Sequence, residues 1–161
     1  MSALQMPRYS IDTSCIIHAW RRAYPPEHFT SFWEKLEGLI TNGIVVASVE
    51  VLNELRKKDD DIYQWAQAQP SHLFMEIDDV QQPHLSHVMG RHPRLVDTTK
   101  GRSECDPFVI ALALSFQEPL MVISEENNGK ANSPKIPDVC RAENLTCIKL
   151  VDLIRLEKWV F

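Results

Sequence analysis

The chain has 161 residues, a length that predicts one domain spanning residues 1–161. Its hydrophobic fraction of 44% and charged fraction of 24% are those of an ordinary globular protein. The formal net charge of −5 argues against a protein that binds nucleic acid through a wide basic face. A nuclease is compatible with this charge, because a cluster of carboxylates that binds divalent ions would account for much of it.

The first part of the chain alternates short apolar runs with helical patterns. In chain order these predict a strand at 8–12, a helix from 13, a loop at 21–28, a helix at 31–42, a strand at 44–47 and a helix from 48 to a stop at Pro70. Ser31 and Glu34 have capping-box spacing, and Asn42-Gly43 supplies the end of that helix. The fully apolar strand at 44–47 is typical of the interior of a parallel sheet.

The second part continues the same alternation. It predicts a short extended piece at 73–77, a helix at 79–89, a loop at 91–105, a helix from 106, a strand at 120–123, a polar loop at 125–137, a helix at 138–144, a strand at 146–150 and a helix at 151–158. Asp106-Pro107 is predicted to begin its helix with Asp as the N-cap. Alternating strands and helices predict an α/β fold, with a mostly parallel sheet covered on both sides.

The sequence shows neither a secretory signal nor a cysteine motif. Residues 1–8 contain no apolar core of a secretory signal, and the longest apolar run, at 108–114, is too short to cross a bilayer. The four cysteines form no Cys-x-x-Cys pair. These observations predict a cytoplasmic, reduced protein with no membrane association.

Four acidic residues stand where a predicted strand is followed by a helix or just inside the helix that follows: Asp12, Glu54, Asp106 and Glu126. Because the carboxyl ends of parallel strands gather at one edge of a sheet, these side chains are expected to meet in a small volume. A cluster of carboxylates repels itself unless a proton or a divalent cation neutralises it. Carboxylate oxygens are ligands that Mg²⁺ and Mn²⁺ prefer, so the first hypothesis is a site for one or two such ions.

Each acid also has a simpler interpretation or a competitor. Asp106 is explained as a helix cap alone, whereas Thr13 or Ser14 could cap the first helix in place of Asp12. Glu50 lies one turn before Glu54, and Glu125 is adjacent to Glu126, so both are alternatives. The hydroxyls of Thr13, Ser14 and Ser124 are candidates to orient the ligands or their waters.

Taken together, these segments resemble the PIN-domain family, the metal-dependent ribonuclease fold of VapC-type toxins. The resemblance covers nearly the whole chain and has spacings of 42, 52 and 20 residues between the four acids in that family's order. It is carried by Ile11-Asp-Thr-Ser-Cys-Ile-Ile, Val51-Leu-Asn-Glu-Leu, Asp106-Pro-Phe-Val-Ile-Ala-Leu-Ala and Val122-Ile-Ser-Glu-Glu. Three further segments resemble a PIN-like bacterial subfamily that is largely uncharacterised: Trp20…Tyr24-Pro-Pro, Phe32-Trp-Glu and Ile136-Pro-Asp-Val-Cys.

The resemblance implies a three-layer α/β/α fold and Mg²⁺- or Mn²⁺-dependent hydrolysis of RNA. It implies that Asp12, Glu54 and Asp106 carry the core metal site and that Glu126 is the fourth catalytic acid. Glu126 departs from the family pattern, which has Asp or Asn two residues after Thr or Ser. A toxin of this kind has a cognate antitoxin, and such toxins commonly form homodimers. Basic residues near the loops, Lys130, Lys135 and Arg102, are candidates to contact the RNA.

Four other functions are weaker interpretations of the same residues. A non-catalytic PIN-like module that binds RNA or protein is the main alternative. A haloacid-dehalogenase-type phosphatase needs a second Asp where Ser14 stands, and a receiver domain needs an acidic pair at the end of the first strand. His84, His87 and His92 suggest a zinc site but have no fourth ligand at a matching spacing.

Overall fold

The structure is a computed structural model that describes residues 4–58, 60–96 and 105–161. Its centre is a sheet of five parallel strands in the order β3-β2-β1-β4-β5. The strands are β1 (Tyr9–Ile11), β2 (Val45–Ser48), β3 (Phe74–Met75), β4 (Met121–Ile123) and β5 (Cys147–Ile148). Every predicted strand is therefore present, including the short extended piece at 73–77.

Helices connect the strands in the alternating pattern that the sequence predicts. They are α1 (Thr13–His18), α2 (Thr30–Thr41), α3 (Val49–Lys58), α4 (Asp61–Gln67), α5 (Gln81–Arg91), α6 (Asp106–Leu114), α7 (Ile136–Ala142) and α8 (Leu150–Leu156). A π-helical turn, Ala19–Ala23, extends α1. None of the helices in the described ranges is long and apolar enough to cross a membrane.

Burial shows that both faces of the sheet are covered. All residues of β1 and β2 are buried, and successive side chains of a strand point to opposite faces. Apolar runs of this kind are typical of parallel strands packed between two layers of helices. The predicted α/β architecture with a central parallel sheet is confirmed.

Strand register brings the carboxyl ends of the central strands together. Tyr9 of β1 pairs with Val45 of β2 and with Met121 of β4. The strands run parallel, so the segments that follow Ile11, Ser48 and Ile123 leave the sheet at one edge. Three of the four predicted acids follow these strands along the chain.

The single helix predicted from residue 48 to Pro70 is wrong, because the structure has two helices there. α3 ends at Lys58, and α4 begins at Asp61 with Asp60 as its N-cap. The Asp60 carboxylate accepts hydrogen bonds from the main-chain N–H groups of Ile62 and Tyr63, at 3.1 and 3.3 Å. An Asp that satisfies two unpaired N–H groups favours a new helix start over continuation.

Helix α2 also begins differently from the prediction. Its first residue is Thr30, and its N-cap is Phe29, whose side chain makes no capping bond. The expected capping box at Ser31 and Glu34 is therefore not formed. Burial of the apolar stripe at Phe32, Trp33, Leu36, Leu39 and Ile40 stabilises the helix instead.

Three tryptophans pack together beside this stripe. The ring of Trp33 lies 5.1 Å from both Trp20 and Trp65, edge to face, and its indole N–H donates to the carbonyl of Tyr24 at 2.7 Å. Trp33 is 4% exposed. Trp33 therefore belongs to the core, and Trp20 and Trp65 are half-buried and pack against it.

Candidate metal centre

Asp12 follows β1 directly and occupies the N-cap position of α1. Its main-chain N–H donates to the carbonyl of Ile123 at 2.9 Å, which extends the β1–β4 pairing by one residue. Its side chain makes no capping hydrogen bond to α1. Asp12 is 2% exposed, so the structure buries a carboxylate that does not serve as the helix cap.

Asp106 is the first residue of α6, and Cys105 occupies the N-cap position. The prediction that Asp106 is the N-cap is therefore wrong by one residue. Pro107 stands at the start of the helix, as expected, because the missing N–H of proline is not needed there. The Asp106 side chain is 5% exposed, so the structure buries a second carboxylate beside the sheet.

Glu126 completes a compact group with these two aspartates. One carboxylate oxygen each from Asp12, Asp106 and Glu126 lies within 4.8 Å of the others. Glu126 reaches the group from the loop after β4, and a side-chain hydrogen bond joins it to Asp106. These three residues are called the acid triad below.

Two hydroxyl groups hold the carboxylate of Asp12. Ser14 Oγ donates to Asp12 Oδ2 at 2.6 Å, and Ser124 Oγ donates to the same oxygen at 3.1 Å. The hydroxyls also accept main-chain N–H bonds from the next loop, Ser14 from Glu125 at 3.1 Å and Ser124 from Glu126 at 3.2 Å. Both serines therefore contact the Asp12 carboxylate and hold the start of the loop that carries Glu126.

Thr13 has a different position from the two serines. Its hydroxyl lies 3.8 Å from the sulfur of Cys105, and both groups are buried. Thr13 thus contacts the residue that precedes Asp106 rather than the Asp12 carboxylate. Its contribution to the acid triad is to pack the start of α1 against the start of α6.

Burial and mutual repulsion shift the protonation of the two aspartates. Burial raises the pKa of Asp12, and the nearby charges of Glu126 and Glu54 raise it further, whereas the bonds from Ser14 and Ser124 oppose the rise. The pKa of Asp106 is raised by burial, then by the charges of Asp12, Glu126 and Glu54. Without a cation, Asp12 and Asp106 therefore keep protons that ordinary carboxyl groups lose well below neutral pH.

Glu54 lies near the acid triad but outside its compact ligand group. Its charge contributes to the raised pKa of Asp12 and Asp106, so it faces the same region of the molecule. It lines a small cavity of about 50 Å³ together with Glu50, Asn53, Lys57 and Cys105. Glu54 on α3 is thus a neighbour of the centre, at a greater distance than the sequence pattern suggested.

The two adjacent glutamates after β4 have separate roles. Glu125 Oε1 accepts a hydrogen bond at 2.9 Å from the main-chain N–H of Leu150, the first residue of α8. Its other oxygen is 4.0 Å from the ammonium group of Lys149. Of the two, only Glu126 is in the acid triad. The geometry favours Glu126 as the fourth acid, and its role as a metal ligand stays a prediction.

Lys149 is a basic residue near the centre that the sequence interpretation missed. It lies between β5 and α8, and it lines a cavity of about 240 Å³ that Glu126 and Ser124 also line. Its position after a strand end is the signal that could have identified it. Lys130 and Lys135 are not among the residues that line this cavity, and the predicted RNA contact Arg102 lies outside the described residues.

Two of the three histidines considered for an alternative zinc site pair with a carboxylate instead. His87 Nε2 and His92 Nε2 are each 2.8 Å from the carboxylate of Glu143, and they contact different oxygens. Arg91 adds an ion pair to the same carboxylate at 3.6 Å. Within the described part of the chain, the acid triad is the single compact group of potential metal ligands.

Comparison with solved structures supports the fold. The chain is similar to one in the crystal structure of VapBC2 from Rickettsia felis bound to a DNA fragment from their promoter, with a TM-score of 0.54 and 17% sequence identity. The match covers 88% of this chain and 97% of that chain. At this identity the similarity establishes the fold, and together with the parallel sheet it confirms the predicted PIN-like architecture.

Comparison by sequence identifies the family. The chain has no significant match among curated proteins. Residues 9–161 match the family model described as a domain of unknown function, DUF4411. This match begins at the first residue of β1 and continues through all four predicted acids. The protein therefore belongs to the DUF4411 family.

Proposed function

We propose that this protein is a metal-dependent ribonuclease that hydrolyses phosphodiester bonds in RNA. The observation that carries the proposal is the acid triad, in which three carboxylate oxygens lie within 4.8 Å beside the carboxyl ends of parallel strands. Two of its members are almost fully buried. Burying carboxylates that repel one another costs folding free energy. At a functional site, a bound divalent cation is the usual compensation.

The donor set fits a hard divalent cation. All three ligand candidates offer carboxylate oxygen, which suits Mg²⁺ and Mn²⁺ better than softer metals. Asp12, Asp106 and Glu126 would hold the ion, and Glu54 is the candidate for a further ligand or for a second ion. When bound, such an ion supplies Lewis-acid activation of water and neutralises charge on the phosphate.

The chain's own residues would position the metal ligands and control the protonation of the nearby acids. Ser14 and Ser124 donate to one oxygen of Asp12, which fixes its rotamer and leaves its other oxygen for the cation. Glu54, whose charge acts on both Asp12 and Asp106, is our candidate to accept a proton from an attacking water. Asp106 requires a neighbouring positive charge to be ionised at neutral pH, since burial and repulsion raise its pKa.

A toxin of a toxin–antitoxin pair is the biological role we propose for this activity. The support is the similarity in fold to a chain of VapBC2, although at 17% identity it extends to the fold alone. A protein partner that covers the acid triad would then control cleavage. The role predicts that expression of the protein alone arrests growth and that Asp12→Asn does not.

The enzymatic proposal is tested by metal binding and cleavage together. Single-stranded RNA is incubated with the wild-type protein in Mg²⁺, Mn²⁺ or EDTA, and Mn²⁺ binding is measured by isothermal titration calorimetry. Asp12→Asn should lose both binding and cleavage. Asp78→Asn is the matched control, because Asp78 hydrogen-bonds to Gln81 at the start of α5 and is not in the acid triad. A wild type that binds neither ion and cuts no RNA would favour a non-catalytic PIN-like binding module.

A further inference from the structure

A cavity of about 240 Å³ opens directly beside the acid triad. Glu126 and Ser124 form its boundary with the candidate metal centre. The other walls come from the loop after β4, from β5 and from the start of α8. A substrate whose phosphate lies at the acid triad would therefore extend into this cavity with its neighbouring groups.

The cavity offers both hydrogen-bond donors and acceptors. Asn127 and Asn128 are exposed and present amide groups. Asn127 Oδ1 accepts from the ammonium of Lys149 at 2.9 Å, and Asn128 Oδ1 accepts from Arg141 at 2.7 Å. An Asn whose oxygen is bound to a cation has its two N–H donors oriented by that bond.

Charge argues against a phosphate as the occupant of the cavity. Lys149 is the lysine in the cavity lining, and its ammonium already contacts Asn127 and the main-chain carbonyl of Glu125, at 2.9 and 3.4 Å. Glu126 and Asp152 add two carboxylates to the same lining. The lysine of the lining is therefore already engaged and lies among carboxylates, which disfavours a second phosphate but suits the neutral edge of a nucleobase.

The remaining walls and the volume also fit a nucleoside. Pro137 and Ile148 supply apolar surface on which the face of a base can pack. The volume is below the roughly 300–1,000 Å³ of pockets that enclose drug-sized ligands. A cavity of this size accommodates a single nucleoside rather than a longer stretch of RNA.

We propose that this cavity binds the base of the nucleotide next to the scissile phosphate and thereby sets sequence preference. The inference rests on the proposed ribonuclease function and names the part of the RNA that the same site recognises. The amide of Asn127, oriented by Lys149, reads the edge of the base. Lys149 acts as a positioning residue through that amide, and Asp152 supplies an acceptor for an amino or imino group of the base.

The test maps cleavage sites and measures RNA binding separately. A pool of random-sequence RNA is cut by the full-length protein in Mn²⁺, and the cut sites are sequenced. Asn127→Ala and Lys149→Met are compared with the wild type and with Lys35→Met, a half-buried lysine on α2 that serves as the control. Binding of a short fluorescent RNA is measured by anisotropy in an Asp12→Asn background with each of these changes.

The wild type should show a preference for one base at a position adjacent to the cut. Asn127→Ala and Lys149→Met should reduce that preference about fivefold or more, the usual effect of losing a specific base contact. They should also weaken RNA binding, and Lys35→Met should change neither property. Mn²⁺ affinity should remain that of the wild type in all three variants, because the acid triad is intact.

Two results would overturn the inference, and they differ from each other. If the wild type cleaves RNA and both cavity variants keep its preference and affinity, the cavity is not a base-binding site, although the ribonuclease proposal stands. If the wild type neither cleaves nor binds RNA, the proposed function fails and the cavity inference fails with it. If the wild type binds RNA without cleaving it, and the cavity variants weaken that binding, the result supports the cavity as an RNA site in a non-catalytic protein.

Discussion

The side chain of Glu125 accepts a hydrogen bond from the main-chain N–H of Leu150 at 2.9 Å. This contact ties the end of β4 to the start of α8 and turns Glu125 away from the acid triad. The next residue, Glu126, then directs its carboxylate toward Asp12 and Asp106. Two adjacent glutamates therefore divide a structural role and a proposed ligand role between them.

Alanine at each of these glutamates should separate the two roles. Glu125→Ala removes an acceptor at a helix start, so we expect a loss of about 0.5–2 kcal/mol in unfolding free energy with Mn²⁺ affinity nearly unchanged. Glu126→Ala removes a proposed ligand, so Mn²⁺ affinity should fall by roughly 100-fold or more, since loss of a residue that only supports a ligand costs about 10–100-fold. Urea denaturation and calorimetry measure the two effects. If Glu125→Ala weakened Mn²⁺ binding and Glu126→Ala lowered only the unfolding free energy, Glu125 would be the ligand.

The serine hydroxyls bound to Asp12 give a second prediction. Ser14→Ala and Ser124→Ala each remove a donor to the same carboxylate oxygen, so the pKa of Asp12 should rise further. We expect Mn²⁺ affinity to fall by about 10–100-fold in each variant, because both hydroxyls orient Asp12, a proposed ligand, without being ligands themselves. The control is Ser115→Ala, whose hydroxyl donates to the Leu112 carbonyl in α6. Equal affinities in all three variants would contradict the proposed orientation of Asp12.

The raised pKa values of Asp12 and Asp106 predict an unusual pH dependence of stability. Each group has a higher pKa in the folded protein than in the unfolded chain, so the folded state binds more protons at intermediate pH. Stability of the metal-free protein should therefore decrease as pH rises from about 5 to about 8, above the unfolded carboxyl pKa near 4. Thermal unfolding in EDTA measures this slope.

Divalent cations should reverse that slope. Metal competes with protons for the same carboxylates, so stabilisation by Mn²⁺ should increase with pH over the same interval. Asp106→Asn replaces a carboxyl group that the metal-free fold must keep protonated with a neutral amide, so this variant should be more stable than the wild type at about pH 8. A wild type whose metal-free stability is constant or increases across this interval would rule out protonated acids in the triad.

The sequence predicted the parts of the molecule that depend on local patterns and on sheet topology. Apolar runs identified all five strands, and the rule that strand ends share one edge brought Asp12 and Glu126 together across more than a hundred residues. The resemblance to PIN domains added Glu54, whose own surroundings gave little signal. Its position near the centre but outside the acid triad depends on the rotation of α3, which the sequence pattern does not determine.

Other features depended on contacts that no sequence pattern records. Glu125 and Glu126 were indistinguishable until the partner of Glu125, Leu150, was known. The break between α3 and α4 was missed because the apolar periodicity continues across it, whereas the capping role of Asp60 was not considered. The capping box at Ser31 failed because packing of the α2 stripe set the start of that helix.

The aromatic core supplies a fourth prediction. Trp33→Ala removes a buried ring that contacts Trp20 and Trp65, so unfolding free energy should fall by about 3–5 kcal/mol. Trp65→Phe should cost less, because it keeps a ring and loses one hydrogen bond to Glu37. Neither change should weaken RNA binding by folded protein. Reduced RNA affinity of a folded Trp65→Phe protein would show that the tryptophans stack bases.

The loop that carries Glu126 gives the last prediction, because one aspartate holds it in shape. Asp138 Oδ2 accepts main-chain N–H bonds from Gly129 at 2.6 Å and from Lys135 at 2.9 Å, so both sides of the loop converge on the start of α7. Gly129 also lies where a Cβ would collide with the carbonyl oxygen of Ser133. Loss of either feature should open the loop between them.

Asp138→Ala and Gly129→Ala should therefore give the same phenotype. Trypsin should cleave after Lys130 and Lys135 several times faster than in the wild type, because these exposed or half-buried sites lose their fixed conformation. Mn²⁺ affinity should fall modestly, since Glu126 lies at the beginning of the same loop. Asp78→Ala is the matched control, as it removes an aspartate that accepts a main-chain N–H bond from Gln81, the first residue of α5. Unchanged proteolysis in both loop variants would show that the serine contacts at Glu125 and Glu126 alone fix the position of Glu126.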